Sequence, residues 1–232
     1  MIVKSYIPNF ITLLNLFSGC VAVIFALEGN MKLTALFVFL GVFFDFFDGF
    51  VARKLNVQSE LGVQLDSLAD MVTSGLVPGL VLFCLLGLAP PPSWINAELL
   101  PYFGLLVTLA SAYRLANFNI STNQSDAFIG LPTPANTLLI ISLPLILEYQ
   151  NSDAMNTIIL NPWFLIVLTL LSCYLLNAPI KLIALKFKTW NFKDNVSRYI
   201  LIVLSVAILA VFQFAGIPLI IVTYIVLSIL SK

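Results

Sequence analysis

The chain has 232 residues, of which 60% are hydrophobic and only 9% are charged. Soluble domains carry roughly 25% charged residues, so this composition excludes an ordinary water-exposed surface and favours a protein that lies mostly in lipid. The formal net charge is zero, which gives no sign of a nucleic-acid partner, and we expect none. The absence of histidine excludes a Ser-His-Asp triad and a histidine-bound metal, so the chemistry must use carboxylates.

Apolar runs predict eight helices, in keeping with the roughly 20 residues that cross a bilayer. The first is interpreted as a retained span, because its long apolar run lacks a cleavage signal. The sixth is the longest and is interpreted as a span with an interfacial stretch, and a tight turn at Gly216 and Pro218 separates the last two. The predicted ranges are roughly 7–28, 32–54, 60–88, 98–120, 132–149, 157–186, 195–214 and 216–231.

Basic residues are distributed unevenly between the predicted loops. If the N-terminus is cytoplasmic, ten of the eleven Lys and Arg residues lie on the cytoplasmic side and only Lys32 lies outside. Cytoplasmic loops are enriched in Lys and Arg, so this bias predicts the orientation of a multi-pass protein in the cell membrane. It also supports an even number of spans.

Four aspartates lie at the end of the second predicted helix and the start of the third. Asp45 and Asp48 are three residues apart, and Asp66 and Asp70 are four apart, so each pair lies on one helical face. The polar link 56–59 is short, which makes the two helices antiparallel neighbours and brings the acidic faces together. With the N-terminus inside, this acidic cluster lies at the cytoplasmic face.

The electrostatic cost of these aspartates indicates a bound cation. A carboxylate inside a bilayer costs about 2.5–3.5 kcal/mol, so four unpaired ones would cost on the order of 10 kcal/mol. A divalent ion with oxygen ligands offsets this cost. The alternative is that the carboxylates are solvated at the helix ends or paired with Arg53 and Lys54.

Small residues accompany the carboxylates. Gly49 and Ala52 follow Asp48, and Gly62 precedes Asp66 by about one helical turn. Such residues allow either close helix packing in lipid or space for a bulky ligand beside a metal.

The whole segment resembles the signature of the CDP-alcohol phosphatidyltransferase family, with all eight specified residues present. It reads Asp45-x2-Asp48-Gly49-x2-Ala52-Arg53-x8-Gly62-x3-Asp66-x3-Asp70. The resemblance implies a single all-α membrane domain, with a catalytic core at about 1–190 and two added helices at about 195–232 beyond a six-helix family core. It also implies Mg²⁺ or Mn²⁺ held by Asp45, Asp48 and Asp66, with Asp70 as a further ligand, a general base or both.

The same resemblance implies a pocket for the CDP part of a lipid donor. The residues that it assigns to this pocket are Asn9, Thr12, Gly49, Ala52, Arg53, Ser59 and Gly62. For the two residues of the first helix, Asn9 and Thr12, the alternative interpretation is that they are polar groups near a helix start.

Two further segments, 113–119 and 130–136, resemble the integral-membrane phosphatidylserine synthases within this family. They read YRLANFN and GLPTPAN, and the resemblance implies L-serine as the acceptor. The carboxylate of serine needs a cation, for which Arg114 is the candidate, and Asn117 or Asn119 could accept from its ammonium. The alternative for Arg114 is a side chain that snorkels to the membrane surface.

The expected reaction transfers a phosphatidyl group from CDP-diacylglycerol to L-serine and releases CMP. The expected partners are these two substrates and the lipid bilayer, and the resemblance also allows a homodimer. Glycerol 3-phosphate or inositol phosphate are alternative acceptors. An ion-coupled transporter is a more distant alternative, because transporter carboxylates lie along a path near mid-membrane, often in repeated halves.

Overall fold

The computed structural model describes residues 2–93, 95–120, 128–183 and 195–230. Most of these residues are helical, and their only regular strands are two short ones that pair in antiparallel orientation, so the predicted all-α bundle is confirmed. In chain order the elements are α1 (Ile2–Leu27), α2 (Met31–Leu55), α3 (Glu60–Asp70), a π-helical segment (Met71–Leu76), α4 (Val77–Leu88), a 3-10 turn (Leu100–Leu105), α5 (Leu106–Ile120), β1 (Phe128–Ile129), α6 (Thr133–Tyr149), α7 (Asp153–Ile159), α8 (Pro162–Asn177), β2 (Lys181–Leu182), α9 (Val196–Phe212), a second 3-10 turn (Gln213–Ala215) and α10 (Gly216–Leu230).

Among the described residues, four apolar helical stretches are long enough to cross a bilayer. They are most of α1, all of α2, the continuous stretch Glu60–Leu88 and the stretch Val196–Leu230. The pair α7 and α8, bent by 56°, would provide a fifth span. These stretches support the multi-pass membrane protein that the composition predicts.

The stretch Val196–Leu230, which the count above takes as one by its length, is a helical hairpin of 17 and 15 residues rather than one long helix. Gln213 has a φ of 48°, which interrupts the helical backbone between α9 and α10. A Cβ atom on Gly216 would lie 2.9 Å from the carbonyl oxygen of Ile208. Eight residues of continuous helix would separate these positions by about 12 Å, so the chain reverses here, as the predicted tight turn requires.

The turn of this hairpin lies at the end of α6. The side chain of Gln150 donates to the carbonyl of Phe212 at 3.0 Å and accepts from the N–H of Ala215 at 2.8 Å, which satisfies backbone groups that the turn leaves free. At the same end of the bundle, Lys32 and Glu148 form a salt bridge of 2.7 Å between α2 and α6. Asp45 and Asp48 lie toward the opposite end of α2, and the start of α6 lines the same cavity as all four aspartates.

The sixth predicted helix, 157–186, is wrong as a single element. The structure breaks it before Pro162 and ends α8 at Asn177. Asn161 caps the new helix with its side-chain oxygen, and proline is well suited to a first helical position because it needs no N–H partner there. Pro179 then favours an extended residue before it, which ends α8. The hydropathy of the run does not indicate these two breaks.

Two glycines bring α1 and α2 against the π-helical segment. A Cβ on Gly41 would lie 2.5 Å from the side chain of Thr73, and a Cβ on Gly19 would overlap the Thr73 hydroxyl. Thr73 also donates to the carbonyl of Asn15 at 3.2 Å. Small residues therefore allow the close helix contact on which the position of the aspartates depends.

Candidate active site

The turn between α2 and α3 sets the register of the two acidic faces. Asn56 adopts a left-handed conformation with a φ of 52°, and its N–H donates to the carbonyl of Arg53 at 3.2 Å. Ser59 then caps α3 by accepting from the N–H of Gly62 at 3.1 Å. These local bonds end one helix and begin the next within a few residues, so the aspartates face each other as their spacing predicts.

Three of the four aspartates form a compact cluster. One carboxylate oxygen from each of Asp45, Asp48 and Asp66 lies within 4.8 Å of the others. Asp48 is 5% exposed, and Oδ1 of Asp66 is buried without a hydrogen-bond partner among the described residues. A buried oxygen without a partner and three like charges are unfavourable by themselves. The hard oxygen ligands therefore fit a divalent cation.

Asp70 lies beside this cluster but outside the group of three. It is 9% exposed, and its Oδ1 accepts a hydrogen bond from Nδ2 of Asn15 at 3.3 Å. The position of Asp70 is compatible with both predicted roles, metal ligand and general base, so both stay predictions.

Helix α1 supplies hydrogen-bond donors to two of the carboxylates. Thr12 donates to Oδ2 of Asp48 at 2.6 Å, and Asn15 donates to Asp70. Sequence reasoning assigned Thr12 to the nucleotide and missed Asn15 altogether. The signal was available, because Asn9, Thr12 and Asn15 recur every three residues along an apolar helix.

The π-helical segment follows Asp70 directly, and such insertions are frequent at functional sites. Its wider turn frees backbone carbonyls, and threonines from neighbouring helices satisfy two of them. Thr137 donates to the carbonyl of Ser74 at 2.9 Å, and Thr108 donates to the carbonyl of Gly75 at 3.0 Å. These contacts fix the π-helical segment, and they therefore also fix the backbone at Asp70, the last residue of α3.

A first cavity, of about 490 Å³, lies between α1 and the α2–α3 turn, and we call it the nucleotide-side cavity. The structure brings all seven residues predicted to contact the CDP moiety to its wall, together with two of the clustered carboxylates, Asp48 and Asp66. Gly62 allows this convergence, since a Cβ there would lie 3.2 Å from Ser59 and 3.4 Å from Asn9. The seven residues are Asn9, Thr12, Gly49, Ala52, Arg53, Ser59 and Gly62.

A second cavity, of about 320 Å³, adjoins the first at the carboxylates, and we call it the acceptor-side cavity. Its wall contains all four aspartates, Arg53, Arg114 and the start of α6. It shares Asp48, Gly49, Arg53 and Asp66 with the nucleotide-side cavity. Two ligands could therefore meet at the carboxylates, one from each cavity.

Arg114 does not snorkel to a surface. It is 8% exposed, and its Nε donates to the carbonyl of Leu131 at 2.7 Å. It also lies close enough to Asp70 for the two charges to interact. The guanidinium is thus fixed inside the protein at the wall of the acceptor-side cavity, which disagrees with the alternative interpretation from sequence.

The two asparagines predicted to bind the acceptor do not line this cavity. Asn117 is exposed, and Asn119 bonds to α3, where it accepts from Ser67 at 3.0 Å and donates to Gln64 at 3.3 Å. The geometry therefore gives their assignment as acceptor ligands no support. Asn119 instead ties α5 to α3.

Comparison with known proteins identifies the family of the chain. Residues 5–174 match the family model for CDP-alcohol phosphatidyltransferases. The chain belongs to this family. Its relatives include proteins named CDP-diacylglycerol–serine O-phosphatidyltransferase from Bacillus subtilis (36% identical, covering 60% of this chain and 75% of the relative), Helicobacter pylori strain J99 (34%, 58% and 55%) and Methanocaldococcus jannaschii (31%, 66% and 66%). The chain therefore spans three quarters of the first relative and about half of the second.

Replacing Thr12 with valine should weaken metal binding by this phosphatidyltransferase by about 10–100-fold, the usual effect of losing a hydrogen bond to a ligand. Valine keeps the shape of threonine but cannot donate to Asp48. A metal titration of activity and of the apparent melting temperature would measure the change. Thr34→Val is the matched control, since both threonines also donate to a carbonyl four residues earlier and only Thr12 contacts the cluster. Equal effects of the two variants would contradict the prediction.

Proposed function

We propose that this chain transfers the phosphatidyl group of CDP-diacylglycerol to the hydroxyl of L-serine, forming phosphatidylserine and CMP. The observation that carries the proposal is the shared wall of the two cavities, formed by Asp48, Asp66, Gly49 and Arg53. It allows a lipid diphosphate from one side to meet a small alcohol from the other. The names of the relatives support serine as that alcohol.

The donor would occupy the nucleotide-side cavity. Asn9 and Ser59 offer polar groups to its CDP moiety, and the guanidinium of Arg53 lies beside the carboxylates, where the diphosphate must lie. Asp45, Asp48 and Asp66 would hold Mg²⁺ or Mn²⁺. Such an ion, when bound, neutralises phosphate charge and stabilises the departing phosphate.

Asp70 is the proposed general base. Asn15 holds Oδ1 of this carboxylate, which leaves Oδ2 to take the proton of the serine hydroxyl as it attacks the β-phosphorus. A bond forms between the serine oxygen and phosphorus, the bond from phosphorus to the oxygen of CMP breaks, and CMP leaves. The chain has no histidine, and its cysteines lie outside both cavity walls, so direct attack is favoured over a covalent enzyme intermediate.

Arg114 is the proposed partner of the serine carboxylate. Its Nε is bonded to a backbone carbonyl, and its terminal nitrogens make no further hydrogen bond within the described residues, so they are available to a carboxylate. The ammonium of serine would then face the aspartates of the same wall. A phosphate-bearing acceptor is disfavoured because the described wall of this cavity contains four aspartates against two arginines.

A panel of acceptors tests the function. Purified protein in lipid nanodiscs with CDP-diacylglycerol and Mn²⁺ would receive L-serine, glycerol 3-phosphate, inositol phosphate or no alcohol, and CMP release would be measured. We expect release with serine well above the sample without alcohol, and little with the two phosphates. Release with a phosphate acceptor but not with serine would overturn the serine assignment and leave the reaction class intact.

We also propose that the site faces the cytoplasm. The excess of Lys and Arg on the side that carries the aspartates supports this orientation. In this orientation, the CDP head group of a donor lipid in the cytoplasmic leaflet could enter the nucleotide-side cavity from the water phase. A homodimer stays a prediction.

A further inference from the structure

The position of Arg114 depends on the short segment that precedes α6. The carbonyl of Leu131 accepts from Nε of Arg114 at 2.7 Å, and Leu131 itself is 1% exposed. A guanidinium with one donor fixed in this way keeps a defined direction for its remaining donors. Whatever holds the backbone at Leu131 therefore also sets the direction of the arginine.

The chain beyond α8 holds this segment in place. The N–H of Gly130 donates to the carbonyl of Ile180 at 2.9 Å, and the N–H of Leu131 donates to the carbonyl of Leu175 at 2.8 Å. Gly130 has a φ of 74°, and a Cβ there would overlap the carbonyl of Leu176. Strand β1, just before Gly130, pairs with β2, so the support of Leu131 includes β2 and the end of α8.

Helix α10 in turn holds the end of β2. Both backbone groups of Ile183 are bonded to its side chains, since the N–H donates to Oγ of Ser228 at 3.1 Å and the carbonyl accepts from the hydroxyl of Tyr224 at 3.0 Å. Two hydroxyls of α10 are thus connected to Arg114 through Ile183, β2 and Leu131.

The apolar contacts of the hairpin point the same way. A hydrophobic cluster separate from the main core joins the segment before α6, β2 and both helices of the hairpin, and its buried members are Leu131, Leu182, Leu201, Ile221 and Tyr224. Most other described side chains of α9 and α10 are exposed or half-buried, as expected for a surface that faces lipid. The buried face of the hairpin is therefore concentrated against the segment that carries the Arg114 partner.

We propose that the α9–α10 hairpin is a brace that fixes Arg114 for a carboxylate-bearing acceptor, with Tyr224 and Ser228 as positioning residues. The hairpin lies beyond residue 174, where the match to the family model ends, which agrees with the prediction that the last two helices are added to the family core. The inference rests on the proposed function, because it assumes that Arg114 binds the acceptor carboxylate. It assigns the hairpin to acceptor recognition and leaves donor and metal binding to the core.

A double variant with Tyr224→Phe and Ser228→Ala tests the brace. Each change removes only a hydroxyl, so the fold should survive, and the two lost hydrogen bonds should raise the KM for serine by about three- to ten-fold. The KM for CDP-diacylglycerol and the metal concentration for half-maximal activity should stay unchanged. Thr223→Val is the matched control. The hydroxyl of Thr223, like that of Ser228, donates to a carbonyl four residues earlier, but Thr223 is half-buried and its hydroxyl has no partner beyond α10 among the described residues.

An Arg114→Lys variant separates failure of the brace from failure of the proposed function. If Arg114→Lys raises the KM for serine and the double variant behaves like Thr223→Val, the brace is overturned and the acceptor site stands. If Arg114→Lys leaves the KM for serine unchanged, the acceptor assignment fails and the brace fails with it. Parallel increases in both KM values, with a lower melting temperature, would indicate general loss of structure and also overturn the brace.

Discussion

Replacing Asp70 with asparagine is expected to lower the turnover of phosphatidyl transfer by about 10²–10⁴-fold, the usual contribution of a general base. Asparagine keeps the size of the side chain and can still bond to Asn15, but it cannot take the proton of the acceptor hydroxyl. CMP release at saturating serine, CDP-diacylglycerol and Mn²⁺ measures the effect. The KM for the lipid donor should change little, because Asp70 lines only the acceptor-side cavity.

Asp153→Asn provides the control for this variant. Asp153 is an exposed residue at the start of α7 and belongs to neither cavity wall, so the same chemical change there should leave turnover unaffected. If Asp70→Asn recovers near-normal turnover when the metal is raised, Asp70 is a ligand and the proton goes elsewhere. A deficit that persists at every metal concentration supports the base.

The spacing of residues along helices predicted most of the acidic cluster. Helical periodicity and one short link were enough to bring Asp45, Asp48 and Asp66 together, because these constraints are local. The seven residues that the resemblance assigns to the CDP moiety also line one cavity, and their role stays a prediction. What local spacing could not give is the division of the aspartates into a group of three and a separate Asp70.

That division depends on contacts between helices distant in sequence. Asn15 reaches Asp70 across 55 positions, and the π-helical segment that follows Asp70 needs donors from Thr108 and Thr137. No propensity of the segment Met71–Leu76 itself predicts these donors. The free carbonyls of a π-helical turn need hydrogen-bond donors from other helices. The turn therefore cannot be predicted from its own sequence.

The acceptor side was harder to predict for a related reason. Arg114, Asn117 and Asn119 are close in sequence, but an α-helix separates positions 114 and 119 by roughly 500° of rotation, which places them on different faces. Asn119 consequently faces α3, whereas Arg114 faces the cavity and the carbonyl of Leu131. Asn119 was predicted to bind the acceptor because its oxygen could accept from the serine ammonium, but the helical period separates it from Arg114.

Replacing Asp66 with asparagine should have opposite effects on metal binding and on the stability of the metal-free protein. Metal affinity and turnover should fall by at least about 100-fold, since the loss of a ligand exceeds the loss of a hydrogen bond to a ligand. Without metal, the apparent melting temperature should stay the same or rise, because the change removes one of three clustered like charges from a site where Oδ1 of Asp66 has no hydrogen-bond partner in the described part of the chain.

Thermal unfolding with and without Mn²⁺ measures both effects in one experiment. A wild-type site at 100 times its Kd gains about 2.7 kcal/mol from bound metal, so its melting temperature should rise on metal addition, and that rise should be nearly absent in Asp66→Asn. Asp153→Asn should keep the full rise, because it changes the same chemical group away from the cluster. A metal-induced rise as large in Asp66→Asn as in the wild type would mean that the ion is held elsewhere. A large fall in the metal-free melting temperature would instead mean that the charge of Asp66 stabilises the fold. The three carboxylates would then have to be neutralised by a positively charged side chain of the protein.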